Sequence, residues 1–152
     1  MQNFMQKYNI TPEDCIVLSL HKSAWEKVLS GTKKYEFRRR FRRKRTFAFI
    51  YVTVPVKAII GGMLLGEPIS GTAKEISDIA EQAMPGNGQS VFDYFIEKDF
   101  GLAIPILDII ETEKISLDYL RDKYNFTAPQ FYLSLQKKPI MLDELITKIQ
   151  EK

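Results

Sequence analysis

Hydrophobic positions along this chain come in short runs whose spacing changes several times. Residues 16–20 (IVLSL) are apolar and β-branched and predict a buried strand. Apolar positions then take helical spacing at Ala24, Val28 and Leu29, behind a capping box of Ser23 and Glu26. Gly31 stands where a helix C′ residue belongs. Alternation returns at residues 35–39, with Tyr35 and Phe37 on one face and Glu36 and Arg38 on the other. Residues 47–54 are a nearly continuous aromatic and β-branched run, the mark of a strand covered on both faces. Pro55 ends that run, and residues 57–65 form the next, where Gly61-Gly62 predicts a bulge or sharp bend.

A polar, helix-forming block follows. Thr72 and Glu75 make a second capping box, and Ile76, Ile79, Ala80 and Ala83 give a helical stripe that reaches Met84. Pro85-Gly86-Asn87-Gly88 is the strongest turn signal in the chain. A short helix over 90–98 carries Val91, Tyr94 and Phe95, and residues 100–112 read as a strand broken by Pro105. Ser116 caps a helix running through Lys123. Residues 130–135 give a last strand, and residues 142–149 a terminal amphipathic helix. Five or six strands interrupted by short helices, without a βαβαβ rhythm, predict an α+β fold. Its sheet is mostly antiparallel or closed into a small barrel, with the first and last strands paired.

Length and composition narrow this picture. The 152 residues suit a single domain spanning 1–152, because a chain of about 150 residues buries about 68–70% of its unfolded surface. Hydrophobic residues at 45% and charged residues at 27% exclude a disordered chain. Cys15 is the only cysteine and His21 the only histidine, so an internal disulfide, a thiolate zinc site and a histidine-rich metal site are all excluded. The first eleven residues lack the basic and apolar regions of a secretory signal, and no apolar stretch approaches the roughly 20 residues that span a bilayer. The expectation is a soluble, cytoplasmic protein with no membrane partner.

Charge changes the picture more. The formal net charge of +3 averages two unlike parts. Between Lys33 and Arg45 stand nine basic residues and one acid, Glu36, for a local charge of +8; the remaining 13 basic and 18 acidic residues leave −5. Arginine forks bind phosphate oxygens bidentately and lysines add point charge, so Arg39, Arg40, Arg42, Arg43, Lys44 and Arg45 are candidate nucleic-acid contacts. Tyr35, Phe37, Phe41 and Phe47 are interleaved with them and offer faces for base stacking. Glu36 and Arg38 share one strand face, either as a buried structural pair or as part of a ligand cavity with Lys33. The Ser19/His21/Ser23 cluster has no orienting acid and no G-x-S-x-G elbow, so it reads as polar groups at a strand–helix junction.

Leu18-Ser19-Leu20-His21 before a short helix, followed by Gly31-Thr32-Lys33-Lys34-Tyr35-Glu36-Phe37-Arg38, resembles the ASCH domain family, named for activating signal cointegrator homology, of the PUA-like superfamily. Gly31, Lys33, Glu36 and Arg38 match every specified position of the family signature G-x-K-x-x-E-x-R. The Tyr-Glu-Phe-Arg-Arg-Arg wording, Tyr51 to Lys57 and Ala128-Pro129-Gln130 are similar to the stand-alone prokaryotic and phage members, so the resemblance runs over roughly residues 16 to 136. It implies a PUA-like mixed or antiparallel small barrel of five to six strands with short helices around it, and a C-terminal helix at 141–150. It also implies a cleft lined by Lys33, Glu36 and Arg38, with Lys22 and Tyr35 beside them. The implied partner is RNA or a nucleotide-derived ligand, with no cofactor and no metal. One branch similar to the family hydrolyses acetylated cytidine with a lysine, a threonine nucleophile and a glutamate. Here Lys33 matches the lysine, but Glu36 stands in the threonine's place, and Glu75 lies only in the general region of the glutamate. Two alternatives therefore accompany the RNA-binding expectation: an amidohydrolase-like enzyme on acylated nucleosides with Lys33 as its base, and a protein whose basic strip docks an acidic partner. No feature of the sequence fixes an oligomeric state.

Overall fold

A computed structural model describes residues 2–150. In chain order its main elements begin with α1 (Gln2–Tyr8), β1 (Cys15–Leu20), α2 (Lys22–Leu29) and β2 (Tyr35–Arg38). The chain continues through β3 (Thr46–Val52), β4 (Ala58–Leu65), β5 (Ile69–Gly71), α3 (Ala73–Ala83) and α4 (Gly88–Phe95). It closes with β6 (Gly101–Ser116), α5 (Leu117–Tyr124), β7 (Tyr132–Ser134), α6 (Pro139–Thr147) and β8 (Ile149–Gln150). The strands join in one mixed sheet in the order β2-β6-β4-β3-β1-β7, with β5 and β8 both paired to β6, and the sheet curls into a half-barrel. All six expected strands are present; the short β5 and β8 are additional. Among the described residues no helix is long and apolar enough to cross a membrane.

The two-residue period of β1 and β3 divides the core. Cys15 and Val17, with Phe47, Phe49 and Tyr51, face a cluster covered by α1, α5 and α6. Ile16, Leu18 and Leu20, with Ala48, Ile50 and Val52, face the other side, where α2 contributes Trp25 and Val28 and β6 contributes Leu102 and Ile104. Every residue of β3 is buried, as its continuous apolar run requires. It pairs in parallel with β1 and antiparallel with β4, and β1 pairs antiparallel with β7. A third cluster lies under α3 and α4, against Ala103 and the half-buried Tyr35 and Phe37.

Several expectations shift, each for a physical reason. The capping box at Thr72 forms as expected: its hydroxyl accepts from the Glu75 N–H at 3.2 Å, and Glu75 accepts from the Thr72 N–H at 2.9 Å. The one at Ser23 does not form, because α2 starts at Lys22 with His21 as its N-cap. The buried face of α2 is Trp25 and Val28, while Leu29 is exposed. Gly31 does adopt the left-handed turn that ends the helix, at φ +79°. The strand β6 is continuous through Pro105. Pro105 stands opposite Tyr35 of β2, and the bonds next to it run from the Ile106 N–H to the Lys34 carbonyl at 3.0 Å and from the Gly66 N–H to the Pro105 carbonyl at 2.9 Å, so neither needs the missing N–H. The terminal helix is Pro139–Thr147, not 141–150, and β8 follows it.

The glycine pair of β4 is explained by rings on its two faces. A Cβ on Gly61 would lie 2.4 Å from the Trp25 ring, and one on Gly62 would lie 2.7 Å from the Phe47 ring. The register with β6 also shifts between Ile59 and Gly61, the irregularity that the pair predicts. At the other end of the molecule, Glu144 of α6 accepts from the Tyr119 and Tyr124 hydroxyls and pairs with Lys123 at 2.9 Å, tying α6 to α5. Burial works against its ionisation, but those three donors outweigh burial and hold its carboxyl at about 2.

Gly61→Ala should therefore destabilise the fold by about 1–3 kcal/mol in urea unfolding, because the added methyl meets both a buried ring and the Ile110 carbonyl oxygen. Glu144→Gln should cost about 1 kcal/mol near neutral pH. A carboxyl held below its ordinary 4.5 stabilises fully above that pH and loses its contribution as pH falls towards 2, so the gap between variant and parent should close over that interval in acid-unfolding measurements.

Candidate functional site

The strand β2 sits at one edge of the sheet and pairs only with β6 among the described strands, with Glu36 opposite Ile104 and Arg38 opposite Leu102. Glu36 and Arg38 therefore face the barrel-side core, and Tyr35 and Phe37 face α3 and α4. Glu36 is 4% exposed, yet both of its oxygens are held by cations. Oε1 lies 3.0 Å from Lys33 Nζ, and Oε2 accepts from Arg38 Nε at 3.0 Å and lies 2.9 Å from its terminal nitrogen. The side chains of Lys33 and Arg38 keep 22% and 27% of their exposure, so the cluster stands at the rim of the core and is not sealed within it. Beyond it, the Arg38 guanidinium lies 4.8 Å from the centre of the Phe131 ring.

On the opposite side of β2, a cleft with a volume of about 210 Å³ opens between α2, the turn after it and the end of α3. The turn is made locally: Gly31 reverses the chain, and the Lys33 N–H then donates to the Lys27 carbonyl at 3.0 Å, holding Lys33 and Lys34 at the mouth. Lys27, Lys33 and Lys34 all line the cleft, and among the described residues no carboxylate does. Tyr35 and Phe37, stacked 6.0 Å apart, form one wall. Ala24, Ala80, Ala83 and Met84 supply an apolar lining, while His21, Ser23, Thr32 and Asn87 add polar groups. The volume is below the roughly 300–1,000 Å³ of pockets for drug-sized ligands, so it suits one base or one sugar-phosphate unit.

The structure thus brings Lys33 and Tyr35 together in the cleft, and joins Lys33 to Glu36 and Arg38 through an ion cluster behind it. Lys22 is elsewhere: it pairs with Glu26 at 3.8 Å and lines a separate shallow groove beside Trp25. Glu75 is in the first turn of α3, bonded to Thr72, while the cleft touches the last turns of that helix. The sequence pattern gives no signal for Lys27, marks Asn87 only as part of a turn and His21 only as a polar group at a strand–helix junction. Lys27 does stand four residues after Ser23 on α2, a spacing that puts both on one helix face.

The basic strip is not one uniform surface. Arg39 stacks 4.4 Å over Tyr94 and donates to its carbonyl at 2.6 Å, and Arg43 lies 5.6 Å over Phe100. Arg42 donates to the Glu13 carbonyl, while its other terminal nitrogen is buried with no partner among the described residues. Lys44 bridges Glu13 at 2.9 Å and Asp14 at 2.6 Å. Burial alone would raise the Asp14 carboxyl, but Lys44 and the Thr11 backbone N–H outweigh it and hold it below the ordinary range. Arg40 and Arg45 make no salt bridge among the described residues. Nor do those residues gather three or more histidine, cysteine or acidic side chains as a metal site.

No family model matches the chain. The ASCH domain-containing ribonuclease of Zymomonas mobilis is 32% identical to it over 126 residues, covering 80% of this chain and 84% of that protein. The crystal structure of ASCH from Zymomonas mobilis matches with a TM-score of 0.77 at 27% identity, over 91% of this chain and 98% of that one. A single-residue variant of that protein matches equally well, at 0.77 over 93% and 100%. The N-terminal domain of Staphylothermus marinus McrB, at 9% identity and a TM-score of 0.52, shares the fold alone, over 90% and 94%.

Glu36→Gln should cost about 2–3 kcal/mol in chemical unfolding, since it leaves two cations at a buried acceptor that no longer neutralises them. An unchanged unfolding midpoint would show that water already carries both cations.

Proposed function

The chain belongs to the ASCH domain family, and on that premise we propose that it binds RNA or a nucleotide-derived ligand in the cleft between α2, β2 and α3. One observation carries the proposal: three lysines, Lys27, Lys33 and Lys34, line a cleft that has an aromatic wall and is sized for one nucleotide unit, and the Glu36 carboxylate behind it is shared between Lys33 and Arg38, which leaves the group net positive. Cationic clefts draw phosphate by charge that does not depend on sequence, and ring faces hold bases by stacking. Tyr35 supplies that face, Lys33 and Lys34 meet the phosphate, and the Glu36 ion pair holds Lys33 in place. The exposed Arg40 and the stacked Arg39 and Arg43 extend the positive field along the loop that follows β2. The proposed setting is the cytoplasm, where RNA of this kind is available.

RNA cleavage is the second reading, favoured by the 32% identical relative, which is a ribonuclease. Groups able to move a proton in the cleft are His21, Lys33 and Tyr35, and the lysines would offset charge that builds on a phosphate during cleavage.

Fluorescence anisotropy with a short labelled RNA tests the first reading. Lys34→Ala, an exposed position whose side chain makes no salt bridge among the described residues, should weaken binding about 5- to 10-fold and lower the salt slope by about 0.7. Tyr35→Ala should weaken binding about 5-fold or more. Equal affinity for heparin and RNA would favour a general polyanion surface instead. Loss of the labelled RNA in the parent protein, abolished in Lys33→Ala, would establish the second reading.

A further inference from the structure

The two edges of the curled sheet, β2 and β7, do not pair; side chains bridge the seam between them. Phe41, Phe131 and Tyr132 meet there with ring centres 4.8–5.9 Å apart, Tyr132 edge to face with both phenylalanines and the two phenylalanines tilted, and all three remain partly exposed. Arg38 lies over Phe131, and the chain places Arg40 and Arg42 on either side of Phe41. All three rings rest on the barrel-side core and keep part of their surface open, with the Arg38 guanidinium over one of them. Basic groups alternating with ring faces are the composition of a surface that stacks unpaired bases.

The seam is also linked to the cleft. Lys33 and Arg38 share the single Glu36 carboxylate, at 3.0 and 2.9 Å, so a cation at the cleft and a cation at the seam are separated by little more than that carboxylate.

Resting on the cleft reading above, we propose that the Phe41–Phe131–Tyr132 cluster is a second nucleotide subsite. It stacks the base next to the one in the cleft, with the intervening phosphate against Lys33 and Arg38 and the following phosphate against Arg40. The site takes an unpaired base on its sugar-phosphate chain. A free mononucleotide fills the cleft and leaves the seam empty.

Binding of a labelled oligouridylate and of uridine monophosphate to Phe131→Leu, Phe41→Leu and Lys33→Ala tests this, with the oligouridylate shown intact by gel after each measurement. The leucines keep apolar volume at the seam but remove the ring. Each should weaken oligouridylate about 5- to 20-fold and leave uridine monophosphate unchanged, whereas Lys33→Ala should weaken both. Parent-level oligouridylate binding by both leucine variants, with Lys33→Ala weakened, overturns the seam site and leaves the cleft standing. Parent-level binding by Lys33→Ala overturns the cleft reading instead, and with it the linked subsite. If either leucine variant fails to fold, photocrosslinking of the parent to an oligouridylate carrying 5-iodouridine decides. Adducts on Phe41, Phe131 or Tyr132 support the site, and adducts confined to Tyr35 and Phe37 overturn it.

Discussion

The alternation of four residues on one edge strand is the constraint from which the rest of the site follows. Because β2 pairs with β6 in fixed register, Glu36 and Arg38 must turn inward and Tyr35 and Phe37 outward. A carboxylate turned into an apolar core needs cationic partners, and Lys33 and Arg38 are the two within reach. Their long stems let the charged ends neutralise Glu36 while part of each side chain stays in water. The outward pair meets α3, whose alanine-rich last turns leave room for the cleft. A one-residue slip of β2 would put two aromatic rings where the carboxylate is now and expose the carboxylate to the cleft, reversing the sign of its field.

The fold was largely legible because the strands announce themselves by period. The continuous run over 47–54 forms the strand Thr46–Val52, and the alternation over 35–39 forms Tyr35–Arg38, each within two residues of the pattern's bounds. Helix faces were read less well. The stripe through Ala24, Val28 and Leu29 was rotated by about one residue from the true face, which is set by the need to bury Trp25 against Gly61. Helix α1 carried its signal in Phe4 and Tyr8, four apart and both buried, but seven residues make too short a window for periodicity to stand out. At the candidate site, Lys33, Lys34, Tyr35 and Phe37, which line the cleft, stand together in one basic and aromatic stretch of the sequence. Lys27 was not legible there, because its place in the cleft depends on the reversal at Gly31, which brings the end of one element back over another.

The basic strip shows why counting charges along a sequence overstates a surface. Its +8 is not presented to solvent as a unit. Glu36 takes up Lys33 and Arg38, and the acids before β1 take up Lys44. Arg39 and Arg43 keep their charge but give up freedom of movement to ring faces. The strip therefore resembles a set of fixed donors more than a diffuse cloud of charge. Fixed donors lose less conformational entropy when they meet a phosphate, so they discriminate between geometries where mobile lysines do not.

Trp25 has a use that its structural role does not require. It is the sole tryptophan, 2% exposed, wedged between α2 and the bare backbone of Gly61, on the same helix that carries Ala24 and Lys27 into the cleft. Any shift of α2 against the sheet changes the surroundings of that indole alone. The protein thus carries an intrinsic optical reporter, needing no label, positioned directly behind the wall that a ligand would touch.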